Sequence, residues 1–258
     1  IQKGINESSD GDTVLVHPGN YSGNNSIYGK NIILGSLYLT TGDTSYIANT
    51  LIGGYECPLM IHGGVSSECR VTGFTMQNGE GCVYGQGGGI YIEGSSPRLD
   101  HLIVKNNHST SYGGGICIKI GSSPALDEII IQNNSADQYG GGIYSDDYSN
   151  PILNNVLIRN NSAGYGGGMY NYSSNPTLWN CTFTENEAEE GGGIYNYSSN
   201  PTLVNCILWS DSVFVEGNEE IYLNASSSVT VTYSDIKGGW EGEGNIDVRP
   251  IFCDPGNG

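Results

Sequence analysis

The chain has 258 residues, among them 40 glycines and 18 tyrosines, and its 27 acidic and 9 basic residues leave a net charge of −18. This charge argues against a nucleic-acid or anionic-membrane partner, because binding to phosphates needs a basic surface. An anionic polysaccharide would be repelled unless a cation such as Ca²⁺ bridged it. No apolar run is long enough to cross a bilayer, so no membrane insertion is predicted.

The N-terminal segment Ile1-Gln2-Lys3-Gly4-Ile5-Asn6 is typical of the end of a short amphipathic helix. A first strand is predicted after it, over residues 10–16. Residues 1–86 are expected to form this cap and irregular coils, and residues 211–258 the terminal coils. The unbroken repeat predicts a single β-helix domain over residues 1–258. Because both ends of the sequence resemble cut points, we also expect this domain to be part of a longer protein.

Five repeats of 25 to 27 residues occupy residues 87–210. Each opens with three glycines, continues with an inward apolar residue and contains one proline. The apolar residues are Ile90, Ile116, Ile143, Met169 and Ile194, and the prolines are Pro97, Pro124, Pro151, Pro176 and Pro201. A period in this range is the signature of a solenoid, in which each unit buries its apolar face by stacking on its neighbour.

Apolar residues recur two, five and seven positions after each proline. In the first repeat these are Leu99, Leu102 and Val104. The last two positions alternate with polar or variable ones, which is the pattern of a strand with one buried face. Short strands joined by turns predict an all-β parallel β-helix of about nine coils, about 40 Å long at a spacing of about 4.8 Å per coil.

An asparagine lies ten positions after four of the prolines, at Asn107, Asn134, Asn161 and Asn186. We expect it at a tight bend, because Asn tolerates left-handed backbone angles. Stacked on successive coils, these amides would also bond to one another as a ladder.

Seven cysteines are present, and none forms a Cys-x-x-Cys or Cys/His metal pattern. Cys181 and Cys206 each lie five positions after a proline, so we expect them to stack in the core as buried thiols. A disulfide among Cys57, Cys69 and Cys82 is left open, because connectivity does not follow from sequence.

The segment Gly11-Asp12-Thr13-Val14-Leu15-Val16-His17-Pro18-Gly19-Asn20-Tyr21, preceded by a helix, resembles the opening of secreted right-handed parallel β-helix proteins of the pectate-lyase-like superfamily. The Gly-Gly-Gly-Ile starts and Phe183-Thr184-Glu185-Asn186 are similar to the repeats of polymorphic outer-membrane adhesins. This resemblance implies a right-handed solenoid that is secreted or displayed at a cell surface. It implies little about activity, because the fold hosts lyases, hydrolases, epimerases and adhesins.

No recognised catalytic motif is present. The chain matches neither the Arg-x-Pro-x-x-Arg pattern of pectate lyases nor the Asn-Thr-Asp and Arg-x-Lys patterns of polygalacturonases. Acidic loops are the remaining candidates, either for hydrolysis by paired carboxylates or for Ca²⁺. Their residues are Asp137, Asp146, Asp147, Glu187, Glu189 and Glu190. The alternative is that these loops are only solvated.

Tyrosines are the better functional signal. Strand alternation turns the residue after each inward Ile or Met outwards, which applies to Tyr91, Cys117, Tyr144, Tyr170 and Tyr195. Tyr172 and Tyr197 lie two positions further on, so the last two repeats predict an exposed grid of four rings. A second file, Tyr112, Tyr139 and Tyr165, precedes the glycines. Such rings suit stacking against sugars or a protein partner, although a ladder that only stabilises the sheet is the alternative.

The sequence therefore predicts a secreted or cell-surface module that binds an extracellular polysaccharide or another surface protein through Tyr91, Tyr144, Tyr170, Tyr172, Tyr195 and Tyr197, with no cofactor. Two alternatives remain. The first is a polysaccharide lyase or glycoside hydrolase that uses the acidic loops and Ca²⁺. The second is a structural spacer.

Overall fold

The computed structural model describes residues 1–214, 219–224 and 226–251. The chain winds into a right-handed parallel β-helix, which confirms the predicted fold class, and its strands stack into four parallel sheets. Two of the sheets have nine strands each, in agreement with the expected number of coils. With the sheets numbered as described below, the chain of each repeat contributes strands to the first, second, fourth and third sheets in that order.

The first sheet follows the repeat prolines and the second sheet follows the next bend. The strands of the first sheet are Thr13–Val16, Ile33–Ser36, Arg70–Thr72, Arg98–Asp100, Ala125–Asp127, Ile152–Asn154, Thr177–Trp179, Thr202–Val204 and Thr230–Thr232. Those of the second are Gly19–Ser22, Thr50–Gly53, Thr75–Gln77, Ile103–Lys105, Ile130–Gln132, Leu157–Arg159, Thr182–Thr184, Ile207–Trp209 and Asp235–Ile236.

The third sheet follows the triple glycines, and the short fourth sheet precedes them. The strands of the third sheet are Asn25–Tyr28, Leu59–His62, Ile90–Glu93, Ile116–Lys119, Ile143–Ser145, Met169–Tyr172, Ile194–Tyr197 and Ile221–Leu223. Those of the fourth are His108–Ser109, Ser135–Tyr139, Ser162–Tyr165, Glu187–Ala188 and Ser212–Val213.

The predicted capping helix is present and spans Gln2–Glu7. It buries Ile5 against the first coil, and the Gln2 side chain bonds both the backbone N–H and the carbonyl of Ser26. Two further short helices, Tyr38–Thr41 and Ser45–Asn49, lie in the region predicted to be irregular. No helix among the described residues is long and apolar enough to cross a membrane.

The proline-based pattern locates the main core correctly. Leu99, Leu102 and Val104 are buried, as are their counterparts in every later repeat, including Cys181 and Cys206. Cys181 and Cys206 lie in the core as buried thiols, as predicted, and the structure decides the disulfide that the sequence left open. Cys57 and Cys82 form a disulfide, while Cys69, Cys117, Cys181 and Cys206 are buried free thiols. Cys253 lies outside the described residues.

The asparagine ladder forms, but its backbone differs from the prediction. Nδ2 of Asn107 donates to Oδ1 of Asn134 (2.9 Å), and Asn134 and Asn161 each continue the chain at 3.0 Å. The left-handed backbone falls one residue earlier, at Asn106, Asn133 and Asn160, for instance. Because the ladder asparagine points inwards to bond its neighbour, the preceding exposed residue takes up the bend.

Candidate functional site

Seven side chains lie in line along the outer side of the third sheet, at the position where its strands end. We call them the polar row: Tyr28, His62, Glu93, Lys119, Asp146, Tyr172 and Tyr197. The strand pairs along the row are parallel and in register, and Asp146 directly follows the strand Ile143–Ser145, with its Oδ2 3.3 Å from Nζ of Lys119, so seven successive coils each contribute one residue to the line. The row therefore runs along the solenoid axis for about 30 Å.

A second line, two residues earlier on the same strands, is the tyrosine ladder: Tyr91, Tyr144, Tyr170, Tyr195 and Tyr222, with Cys117 between the first two. The rings of Tyr170 and Tyr195 are 4.9 Å apart and nearly parallel, and those of Tyr195 and Tyr222 are 4.6 Å apart. The ladder faces away from the main core, as strand alternation predicts.

The tyrosine ladder is not exposed, and here the structure corrects the sequence prediction. Tyr91, Tyr144, Tyr170 and Tyr195 are each less than a tenth exposed. The second file covers them, because Tyr112 stacks on Tyr144 at 4.9 Å, Tyr139 packs on Tyr170 at 4.8 Å and Tyr165 meets Tyr195 edge-on at 5.6 Å. The ladder is a second hydrophobic core outside the main one, and its burial raises the pKa of Tyr195 to about 12.

Only the outer half of the predicted four-ring grid is accessible. Tyr172 and Tyr197 are 42% and 39% exposed, and their rings are stacked 5.1 Å apart with an angle of 11° between planes. At the other end of the row, Tyr28 is exposed and packs edge-on against His62 at 4.9 Å. Aromatic faces thus lie at both ends of the polar row.

Charged residues occupy the middle of the row. Nζ of Lys119 lies 3.3 Å from Oδ2 of Asp146, and the Tyr144 hydroxyl donates to the same oxygen at 2.9 Å. Lys119 also donates to Oε1 of Gln86 at 3.3 Å and lies over the Tyr112 ring. These contacts hold the ammonium group beside Asp146, and Glu93 is its in-register neighbour on the preceding coil.

Asp146 has an unusual environment for a carboxylate. It is 5% exposed, and its Oδ1 has no hydrogen-bond partner among the described residues. Burial raises the pKa of Asp146 to about 6, although Lys119 and the Tyr144 hydroxyl both favour the ionised form. A carboxyl group that titrates near neutral pH is suited to general acid–base catalysis.

The other acidic candidates do not join Asp146. Asp147 is exposed and turns away with a φ of 52°. Asp137 and Glu187 lie on the fourth sheet, where Asp137 is 3.7 Å from Nε2 of His108. Glu189 is exposed, and the backbone of Glu190 forms an isolated parallel β-bridge with that of Tyr165. Among residues 1–214, 219–224 and 226–251, no group of three His, Cys, Asp or Glu side chains is arranged to hold a metal ion.

Sequence reasoning missed Lys119, Glu93 and Gln86. A signal for the first two was available, since both lie three residues after the inward isoleucine, the offset that Asp146, Tyr172 and Tyr197 share. Reading this column across the repeats would have found five of the seven members of the row, all but Tyr28 and His62. Gln86 comes from an irregular loop and leaves no such signal.

A family model described as right-handed β-helix region matches residues 37–210 and, in a second placement, residues 88–246. Solved structures of similar shape include the pectin methylesterase from carrot, with a TM-score of 0.61, 10% identity and coverage of 96% of this chain and 81% of that one. A pectin methylesterase mutant in complex with a hexasaccharide has a TM-score of 0.59, and the pectin methylesterase of Erwinia chrysanthemi has a TM-score of 0.58. Each is 10% identical to this chain, and each comparison covers 95% of this chain and 88% of the other. No curated protein matches the sequence. The chain belongs to the right-handed β-helix family.

Proposed function

We propose that the protein is an extracellular β-helix module that binds a polysaccharide along the polar row. The observation that carries the proposal is the exposed, stacked pair Tyr172 and Tyr197 in line with the charged centre of the row. Flat rings with hydroxyl edges offer sugar rings an apolar face and hydrogen bonds at once. An extended polymer that follows the solenoid axis would meet the exposed rings of the row, Tyr28, Tyr172 and Tyr197.

The structural neighbours support a carbohydrate ligand, since one of these pectin methylesterases is in complex with a hexasaccharide. Charge narrows the class of ligand. With a net charge of −18, the protein repels a polyanion, and the only cation in the row, Lys119, is held by Asp146. We therefore expect a neutral polysaccharide to bind in the absence of Ca²⁺, and a uronate polymer to need Ca²⁺ or similar screening. Display at a cell surface is part of the proposal because the Gly-Gly-Gly-Ile starts of the repeats resemble those of polymorphic outer-membrane adhesins.

The binding test measures affinity for a panel of neutral and uronate-containing polysaccharides, with and without Ca²⁺. The variant Tyr172→Ala/Tyr197→Ala should bind its best ligand at least about tenfold more weakly, because two stacking faces are lost. Tyr55→Ala, which removes an exposed ring outside the row, is the matched control. Unchanged affinity in the double variant would refute the role of the row, and absence of binding to the whole panel would favour a spacer.

Asp146 favours a second candidate function, cleavage of the bound polysaccharide by hydrolysis or elimination. Its pKa of about 6 lets the same carboxyl group accept and return a proton near neutral pH, and Lys119 lies beside it as a fixed cation. Catalysis at this place predicts that Asp146→Asn abolishes product release and leaves binding within about twofold. Asp147→Asn, a change to an exposed neighbour, is the control.

Product release should be followed both as reducing ends and as unsaturated-product absorbance. Turnover that survives Asp146→Asn but is lost in Glu189→Gln would move the chemistry to the loops beside the fourth sheet. Binding without turnover on the whole panel would leave the module non-catalytic.

A further inference from the structure

The asparagine ladder ends on a carboxylate. The backbone N–H and the Nδ2 of Asn186 both donate to Oδ1 of Asp211, at 2.7 and 2.9 Å. In each earlier member the Nδ2 group also donates to a carbonyl of the preceding coil, as Asn186 does to Ile158 at 3.0 Å. Asp211 has an oxygen in place of that amide, so it has nothing to donate unless it carries a proton.

A second carboxylate occupies a position that is glycine on the coils before it. The backbone N–H groups of Gly193 and Ile194 donate to the carbonyls of Glu219 and Glu220, at 3.0 and 2.8 Å, so Glu220 stacks on Gly193. A Cβ on Gly193 would lie 2.7 Å from Oδ2 of Asp211, which locates Asp211 beside this position.

Both carboxyl groups are removed from water. Asp211 is 1% exposed and Glu220 is 4% exposed. Oδ2 of Asp211 and both Oε atoms of Glu220 are buried without a hydrogen-bond donor in the part of the chain that the structure describes. Two ionised carboxylates side by side and out of water are strongly unfavourable, whereas one proton held between them forms a strong hydrogen bond.

The charged groups around the pair do not compensate it. Glu219 and Lys237 form an ion pair with each other at the surface, and Lys237 attracts the Glu220 carboxylate only from there. Asn186 is neutral. Burial raises the pKa of Asp211 well above its usual range, and Glu220 raises it further, while burial raises the pKa of Glu220 to about 7.

We propose that Asp211 and Glu220 share a proton, and that this pair makes the terminal coil (residues 219–224 and 226–251) a pH-sensitive element that is closed in acid and loosens as the proton is lost. Both groups bind protons more tightly in the folded state than in the unfolded chain. The stability that they contribute is therefore fully present below the ordinary carboxyl range and is lost as pH rises through about 7.

The experiment is amide hydrogen exchange of the intact chain between pH 5 and pH 8, read at Asn186 and Ile194, whose N–H groups bond to this pair and its backbone. After correction for intrinsic exchange, we expect the opening equilibrium constant of the wild type to rise about tenfold per pH unit for each proton released. Asp211→Asn replaces the acid with the residue of the earlier ladder members and leaves only the buried Glu220 to titrate, so its opening should depend less steeply on pH than that of the wild type, and the double variant Asp211→Asn/Glu220→Gln should be nearly independent of pH. Glu241→Gln removes an equal charge from an exposed site of the same coil and should keep the wild-type slope.

Equal pH dependence in the wild type and in the double variant Asp211→Asn/Glu220→Gln would overturn the proposal. So would a wild type whose terminal coil is restored at pH 8 by adding Ca²⁺ and loosened by a chelator, because the pair would then be a cation site. If Asp211→Asn failed to fold, Glu220→Gln alone must show the reduced slope, and a full wild-type slope in that variant would also refute the shared proton.

Discussion

At the scale of single residues, the centre of the polar row is decided by competition between burial and pairing. Asp146 loses most of its contact with water, which favours its neutral form, and regains part of that energy from Lys119 and the Tyr144 hydroxyl. Burial wins, so its pKa is raised rather than lowered. Although burial opposes the charge of Lys119, Asp146 keeps the pKa of that ammonium above its usual value.

This balance gives a direct prediction for Lys119→Met. This substitution keeps an apolar side chain of similar length but removes the ammonium group, which is the strongest interaction that favours the ionised carboxylate. The pKa of Asp146 should therefore rise further above about 6. Carboxyl-carbon NMR of a pH titration measures this. Lys105→Met, on the second sheet, should leave the titration of Asp146 unchanged, and a fall in the Asp146 pKa in Lys119→Met would contradict the account.

At the scale of the repeated element, each triple glycine does two different things. The first glycine adopts the left-handed backbone region, as Gly140 does with a φ of 69°. The third packs against the neighbouring coil, because a Cβ on Gly142 would lie 2.5 Å from the carbonyl oxygen of Gly168. Glycine at the third position therefore lets the hydrogen-bonded coils stack without a clash where the third sheet begins.

We accordingly expect Gly142→Ala to lower the free energy of unfolding by about 3 kcal/mol, since backbone must move to make room for the methyl group. Gly121→Ala is the control. Its φ of 64° also disfavours alanine, but its Cβ would enter open space, so a loss of about 1 kcal/mol is expected. Denaturant unfolding compares the two, and equal losses would show that backbone strain alone accounts for the effect.

At the scale of the whole molecule, the β-helix has two cores on opposite sides of the third sheet. The main core fills the solenoid, and the tyrosine ladder with its cover of Tyr112, Tyr139 and Tyr165 forms the other. Cys57 belongs to this second core, and its disulfide with Cys82 ties the loop before the first triple glycine to the coil that precedes it. The disulfide thus closes the ladder at its N-terminal end.

Reduction of this disulfide should lower the free energy of unfolding by about 3 kcal/mol, because the unfolded chain gains the freedom of a 25-residue loop. Unfolding with and without a reductant measures the effect. The variant Cys57→Ala/Cys82→Ala should not respond to the reductant, since the free thiols Cys69, Cys117, Cys181 and Cys206 are not bridged. A response of equal size in that variant would contradict the assignment.

The sequence by itself determined the solenoid, the capping helix, the inward positions after each proline and the asparagine ladder. A strict period makes every residue a neighbour of its counterpart one coil away, so contacts along the axis can be read from the repeat. That is why Asn134 meets Asn161, and why Tyr172 stacks on Tyr197.

Only the tertiary structure decided which outward residues meet water. The period says nothing about how one side of a coil folds over another, and so Tyr170 and Tyr195 were expected at the surface but are covered by neighbours from a different turn. The period also predicts no contacts where the repeat is broken. Gln86 reaches Lys119 from an irregular loop. Asp211 meets Glu220 only because the last two coils carry acids in place of the asparagine and the glycine, and stacking then buries both acids.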